Sequence, residues 1–173
     1  MTENKFIINK IFDSNYSRKY DLELEEFILI FIHLFKNNVI KGKTRFQKLI
    51  YLINFEYKIF KNSKYYRYYY GPYSDIVDNA IKNLRINGFI DEEIIFLNEI
   101  SINFQINIKL LDKGIKKVDE IKLKLGNKIE SLENVIKKAV IDNNFHNIPF
   151  KDLINIVYEK AGYQKNKLMF KSF

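Results

Sequence analysis

With 173 residues, 47% of them hydrophobic and 16% aromatic, the chain can bury a real core, which excludes an intrinsically disordered protein. It contains no cysteine, which excludes disulfides, thiolate metal sites and a cysteine nucleophile and fits a reducing, cytoplasmic setting. A net charge of +8 points to a polyanionic partner, although the abundance of Ile, Asn and Lys, all with AT-rich codons, accounts for part of it. The charge is uneven: +6 over residues 1–72, −1 over 73–125 and +3 over 126–173.

Residues 1–20 have no clean period and read as an arm. Asp21 is placed to cap a helix running to about Asn38, with Glu23, Glu25 and Glu26 at the positive end of its dipole. Its apolar run "FILIFIHLF" spans nine residues, short of the roughly 20 a membrane span needs. The acidic "ELEE" before it does not suit a signal peptide, so the run is expected to be a buried helix. "NNVIKGK" breaks the pattern. From Thr44, Phe46, Leu49, Ile50, Ile53 and Tyr57 recur at helical spacing, with Arg45, Gln47, Lys48, Tyr51 and Lys58 on the opposite face.

Tyr65–Tyr70 has no helical period and suits a short strand, with Tyr66, Tyr68 and Tyr70 on one face. The expectation is that this face packs beside a later hairpin. Gly71-Pro72 signals a turn, and Ser74 is an N-cap candidate for a helix over 73–87. Ile76, Val77, Ala80, Ile81 and Leu84 form its apolar stripe, and Gly88 is placed as a left-handed terminator. "EIIFL" and "ISINFQINIKL" then read as two strands joined at "NE", the second alternating apolar and polar residues from Ile100 to Lys109. Three more helices are expected: from Asp112 to about Leu125, over 127–142, and over about 149–161 with Pro149 at its entry.

The expected class is mainly α with a β-hairpin (α+β): an arm at 1–20, a winged helix-turn-helix domain at 21–111, and a C-terminal helical extension at 112–173 packing on it. A shared core of Phe46, Leu49, Ile53, Ile76, Ala80, Ile81, Leu84, Phe104 and Ile106 is expected.

"KTRFQKLIYLI" followed by "YYYGPYSDIVDNAIKNLRINGFI" resembles the YwgA-like family of archaeal and bacterial winged-helix proteins. More distantly, it is similar to the phage-associated SocA-like (Panacea) antitoxin proteins. The matching positions are Lys43, Phe46, Gln47, Lys48 and Leu49; then Tyr70, Gly71, Pro72, Tyr73 and Ser74; then Leu84, Gly88 and Ile90. Phe46 stands where the pattern usually has Leu. "PFKDLINIVYEK" also looks like the group's C-terminal helix, so the resemblance covers roughly residues 40–160. It implies a winged-helix fold and a regulator-like or antitoxin-like role.

The first functional expectation is a transcriptional or antitoxin-like regulator that binds double-stranded DNA. Helix 73–87 would offer Ser74, Asn79, Lys82, Asn83 and Arg85 to base edges. Lys41, Lys43, Arg45, Lys48, Lys61, Lys64 and Arg67 would position the phosphates. Asp75 and Asp78 at the helix start and Glu99 at the hairpin tip oppose this by repelling phosphate. Base stacking on Tyr65 or Tyr69 about Arg67 is a further possibility, set against a packing role for the tyrosines. The alternative is a non-catalytic protein-binding module: an antitoxin, an adaptor or a phage or mobile-element inhibitor. His33 and His146 have no partners at catalytic or metal-ligand spacing, so no enzyme, cofactor or metal is expected. No membrane association is expected, and a homodimer is possible.

Overall fold

A computed structural model of the protein describes residues 20, 22–60, 64–97 and 104–163. In chain order the elements are α1 (Leu24–His33), a 3-10 turn (Lys36–Asn38), β1 (Val39–Ile40), α2 (Lys43–Tyr57), β2 (Tyr66–Tyr68), β3 (Gly71–Tyr73), α3 (Asp75–Ile86), β4 (Ile90–Phe96) and β5 (Phe104–Leu110). Then come α4 (Asp112–Leu125), α5 (Lys128–Ile136) with a π-helical turn (Lys137–Ile141), and α6 (Phe150–Lys160). The α+β class, the six helices and the β4–β5 hairpin follow the expectation, whereas β1 and β3 are strands it did not contain. The arm, the hairpin tip with Glu99, and Ile100 and Ile102 lie outside the described residues. Tyr20 is described and buried, its hydroxyl 2.9 Å from Ser131 Oγ.

Every residue of α1 from Phe27 to Ile32 is buried, as a helix apolar all round requires. Its N-cap is Glu23, with Asp21 outside the described residues, and it ends at His33, earlier than Asn38. The helix breaks where Phe35 turns extended (φ −93°, ψ 152°), and Asn37 and Asn38 then take positive φ (58° and 54°). Asparagine tolerates that region, and the chain is turned so that Val39–Ile40 joins a sheet. The sheet order is β1-β5-β4. β1 pairs Ile40 with Ile108, and β4 pairs antiparallel with β5 from Ile90↔Leu110 to Phe96↔Phe104.

The tyrosine strand does not pack beside the β4–β5 hairpin. β2 and β3 form a separate antiparallel ribbon, Tyr66 opposite Tyr73 and Tyr68 opposite Gly71. The reversal falls on Tyr69-Tyr70, and Gly71-Pro72 belongs to the returning strand. Gly71 takes φ +93°, which admits the tight return.

One core cluster runs through α1, α2, α3, the base of the sheet and α4–α6, with Val118, Ile121, Leu132, Ile136, Leu153 and Val157 contributed from beyond residue 112. Of the expected core, Phe46, Leu49, Ile53, Ala80, Ile81 and Leu84 are buried. Ile76 and Phe104 are exposed and Ile106 is half-buried. Ile76 fails because the stripe of α3 is Val77, Ala80, Ile81 and Leu84, one step round the helix. The hairpin residues fail because only its base, at Ile90, Ile108 and Leu110, lies against the body. At the end of α3, Gly88 has φ +71°, with Phe89 N–H donating to Leu84 O and Gly88 N–H to Arg85 O, both at 2.9 Å. This is a Schellman stop, which needs the left-handed glycine.

Candidate interaction surface around α3

The start of α3 is held from behind by α2. Gln47 Nε2 donates to Ser74 O at 3.1 Å, and Ser74 N–H donates back to Gln47 Oε1 at 3.3 Å. Next to it, Lys48 Nζ donates to Pro72 O at 2.7 Å. Ser74 Oγ accepts from Val77 N–H, which makes it the N-cap of α3 as expected. Gln47, Lys48 and Ser74 are all buried. A buried backbone amide and carbonyl outside any ladder must find partners, and the Gln47 side chain supplies both. Burial pulls the Lys48 amine down from 10.5 to about 7.

This overturns two expectations. The face of α2 opposite its apolar stripe is itself buried at Gln47, Lys48 and Tyr51. That side is covered by β3, α6 and the π-helical turn, with Tyr51 edge-on to Tyr65. Lys48 and Ser74 therefore cannot reach phosphate or bases. They are what joins the "FQKL" and "GPYS" segments.

In front of α3 an alternating chain of charges runs through contacts between α2, α3 and β4. Lys82 Nζ lies 2.8 Å from Asp78 Oδ2, Asp78 Oδ1 lies 3.1 Å from Lys43 Nζ, and Lys43 Nζ lies 2.7 Å from Glu92 Oε1. Glu92 Oε2 is 3.2 Å from Arg85 Nη1, whose Nε is 3.8 Å from Asp91 Oδ1. Three cations meet three carboxylates. Burial works against the Lys43 charge, but Glu92 and Asp78 outweigh it and hold the amine above its ordinary value. Burial likewise opposes ionisation of Asp78, yet Lys82 and Lys43 keep its carboxyl below the usual range. Within the fold the Asp78 charge is thus compensated by lysines, while Asp75 accepts a hydrogen bond from the uncharged Tyr66 hydroxyl at 3.0 Å.

The other basic positions are dispersed. Arg45 is half-buried and donates to Phe145 O at 3.1 Å. The Arg67 guanidinium sits 4.9 Å from the centre of the Tyr163 ring. Lys41 and Lys64 are exposed, and Lys61 lies outside the described residues. Asn79, Lys82, Asn83 and Arg85 are exposed along α3.

The tyrosines make the third component. Tyr66, Tyr68 and Tyr73 share one face of the ribbon, with ring centroids 5.3 Å apart for Tyr68–Tyr73 and 5.8 Å for Tyr66–Tyr73. Tyr69 extends this ladder at 4.8 Å from Tyr68 and is 79% exposed. Tyr70 leaves that face and meets Phe150. Tyr65 is buried, so it offers no stacking platform. Burial first, then the bond to Asp75, pushes the Tyr66 phenol up to about 12. The ladder thus continues through Tyr66–Asp75 into the exposed face of α3.

Among the described residues, no group of three or more His, Cys, Asp or Glu is placed to hold a metal ion. His146 is edge-on to Phe35 at 5.4 Å, and His33 is half-buried in α1. Nor, among these residues, is any helix long and apolar enough to cross a membrane. Compared with known proteins, the chain matches no family model and no curated protein sequence.

Proposed function

We propose that this chain is a winged helix-turn-helix protein that acts without catalysis by binding another protein through α3 and the tyrosine ribbon, in the manner of an antitoxin, adaptor or inhibitor. The winged reading is supported by the order α1–β1–α2–β2–β3–α3–β4–β5, in which the tyrosine ribbon is inserted between α2 and α3 and β1 closes the sheet as β1-β5-β4. The resemblance to YwgA-like and SocA-like proteins supports it further. The observation that carries the binding reading is the charge chain: Lys43, Lys82 and Arg85, the cations nearest the exposed face of α3, are matched by Asp78, Glu92 and Asp91. A surface meant for phosphates keeps its cations available to displace counterions. What α3 presents instead is amides, an exposed Ile76 and a rigid aromatic ladder. Tyrosines of this kind give large contact area at low entropy cost in protein interfaces.

The test is affinity capture from lysate with the full chain and with Tyr68→Ser/Tyr69→Ser. The reading expects one reproducible protein partner that the double variant loses and Lys41→Ala retains. Capture unchanged by the tyrosine variant would refute it. A second reading, duplex DNA binding for regulation in the cytoplasm, draws on exposed Asn79 and Asn83, which suit adenine edges. In that reading Lys41, Lys64 and Arg67 supply the backbone contacts.

A further inference from the structure

The β4–β5 hairpin continues the core face of the sheet past the body. Ile90, Ile108 and Leu110 are buried at its base, while Ile94, Phe96 and Phe104, on the same face by register, are 56%, 70% and 49% exposed. Leu97, just beyond β4, is 51% exposed. Ile94, Phe96 and Phe104 together leave roughly 400 Å² of apolar surface uncovered on that face, the size of patch that on a monomer is often functional.

Among the described residues β4 is also an edge strand, and its guard is one-sided. In the proximal half the Asp91 carboxylate accepts the Glu92 N–H at 2.8 Å, and Glu93 is exposed. From Ile94 to Leu97 there is no charge, proline or glycine, the devices that normally stop an edge from pairing.

We propose that two copies of this chain associate through this hairpin. Their β4 strands run antiparallel about a two-fold axis at Ile94, joining the two sheets into one of six strands. The register follows from the charges. Centring on Ile94 sets Glu93 opposite Ile95 and Glu92 opposite Phe96, so no two acids face one another across the pair. A two-fold contact uses the same patch twice and closes on itself. Strand addition supplies main-chain bonds along the edge, and it sets the Ile94 and Phe96 side chains of the two copies beside one another on the same face. This goes beyond the partner-binding reading and uses a different surface, so either can fail without the other.

Sedimentation of the full chain up to about 100 µM, ample for micromolar association, should show a dimer. Phe96→Ser/Phe104→Ser should make it monomeric while it still folds and melts cooperatively, and Tyr69→Ser should leave it dimeric. The chain has no cysteine, so Ile94→Cys gives a clean second readout. Opposed residues in an antiparallel pair lie about 4.5–5.5 Å apart at Cα, within disulfide reach. Ile94→Cys should therefore crosslink to a dimer on mild oxidation, and Lys109→Cys should not. A monomer at the highest concentration overturns the proposal, whether its hairpin amides exchange freely or are protected from within the chain. So does a dimer that survives Phe96→Ser/Phe104→Ser or fails to crosslink through Ile94→Cys.

Discussion

Where α2 grips the start of α3, a glutamine, a lysine and a serine are sealed from solvent, and each has a hydrogen-bond partner. At the far end of the β4–β5 hairpin, Ile94, Phe96 and Phe104 stand in water. Side-chain type is inverted between the two places. At the junction, polar groups go inside because Pro72 and Ser74 bring buried backbone groups that α2 side chains satisfy, and leaving those unpaired would cost more than burying the amide and amine. In the hairpin, apolar groups come out because the strands run past the body that should cover them. The first region completes its contacts within the chain. The second leaves them open.

Four substitutions sharpen this contrast, from the largest effect to the smallest. Leu49→Ala, adjoining the junction on α2 and fully buried, should cost about 2–5 kcal/mol in urea unfolding. A cost below about 1 kcal/mol would mean the α2 side is not packed as described. Next is the pH dependence of Lys48. Its amine falls to about 7 in the fold against 10.5 when exposed. Between those values the unfolded chain holds a proton that the folded chain lacks, so stability rises with pH across the window. The gain is up to about 4 kcal/mol from pH 7 to 10 and should vanish in Lys48→Met. An unchanged pH profile in that variant would place Lys48 in water. Above pH 10 the trend reverses, because Tyr66 and Tyr163 stay protonated to about 12 in the fold while unfolded tyrosines ionise.

Gly88→Ala should cost about 1–2 kcal/mol from backbone strain alone, since no atom lies within 4 Å of an added Cβ there. A neutral result in thermal melts would contradict the left-handed stop. Smallest of all, Phe96→Ser should change monomer unfolding by no more than about 0.5 kcal/mol. A large loss would show that the chain itself covers the hairpin.

Period and punctuation carried much of this fold. The i, i+3, i+4, i+7 stripe of α3, its Ser74 cap and its Gly88 stop are all local signals, and so is the alternation of β5. What local pattern cannot carry is where the body ends. Phe104 and Ile108 look alike in the sequence, and only the tertiary fold puts one in solvent and the other in the core. β1 is two residues long and exists through pairing with β5 some 70 residues later, so no window reveals it. Lys48 read as a phosphate contact and Gln47 only as a residue off the apolar stripe because their partners, Pro72 and Ser74, lie 24 and 27 residues on. The signal that could have found them was the co-occurrence of "FQKL" with "GPYS", a polar pair and a turn that need each other. The charge chain was hidden in the same way: Lys43, Asp78 and Glu92 come from three elements, and counting charges by segment treated each as available.

That internal neutralisation is the central claim, and binding to duplex DNA tests it most directly. Fluorescence anisotropy of the full chain with a mixed-sequence duplex at about 50 and 200 mM salt spans the range in which phosphate-driven binding falls by orders of magnitude. With Lys43, Lys82 and Arg85 held by Asp78, Glu92 and Asp91, the expected result is no salt-sensitive binding at either concentration. Binding that is strong at the lower salt, collapses at the higher, and weakens in Lys82→Ala or Arg85→Ala would contradict the account and return α3 to the DNA-reading role.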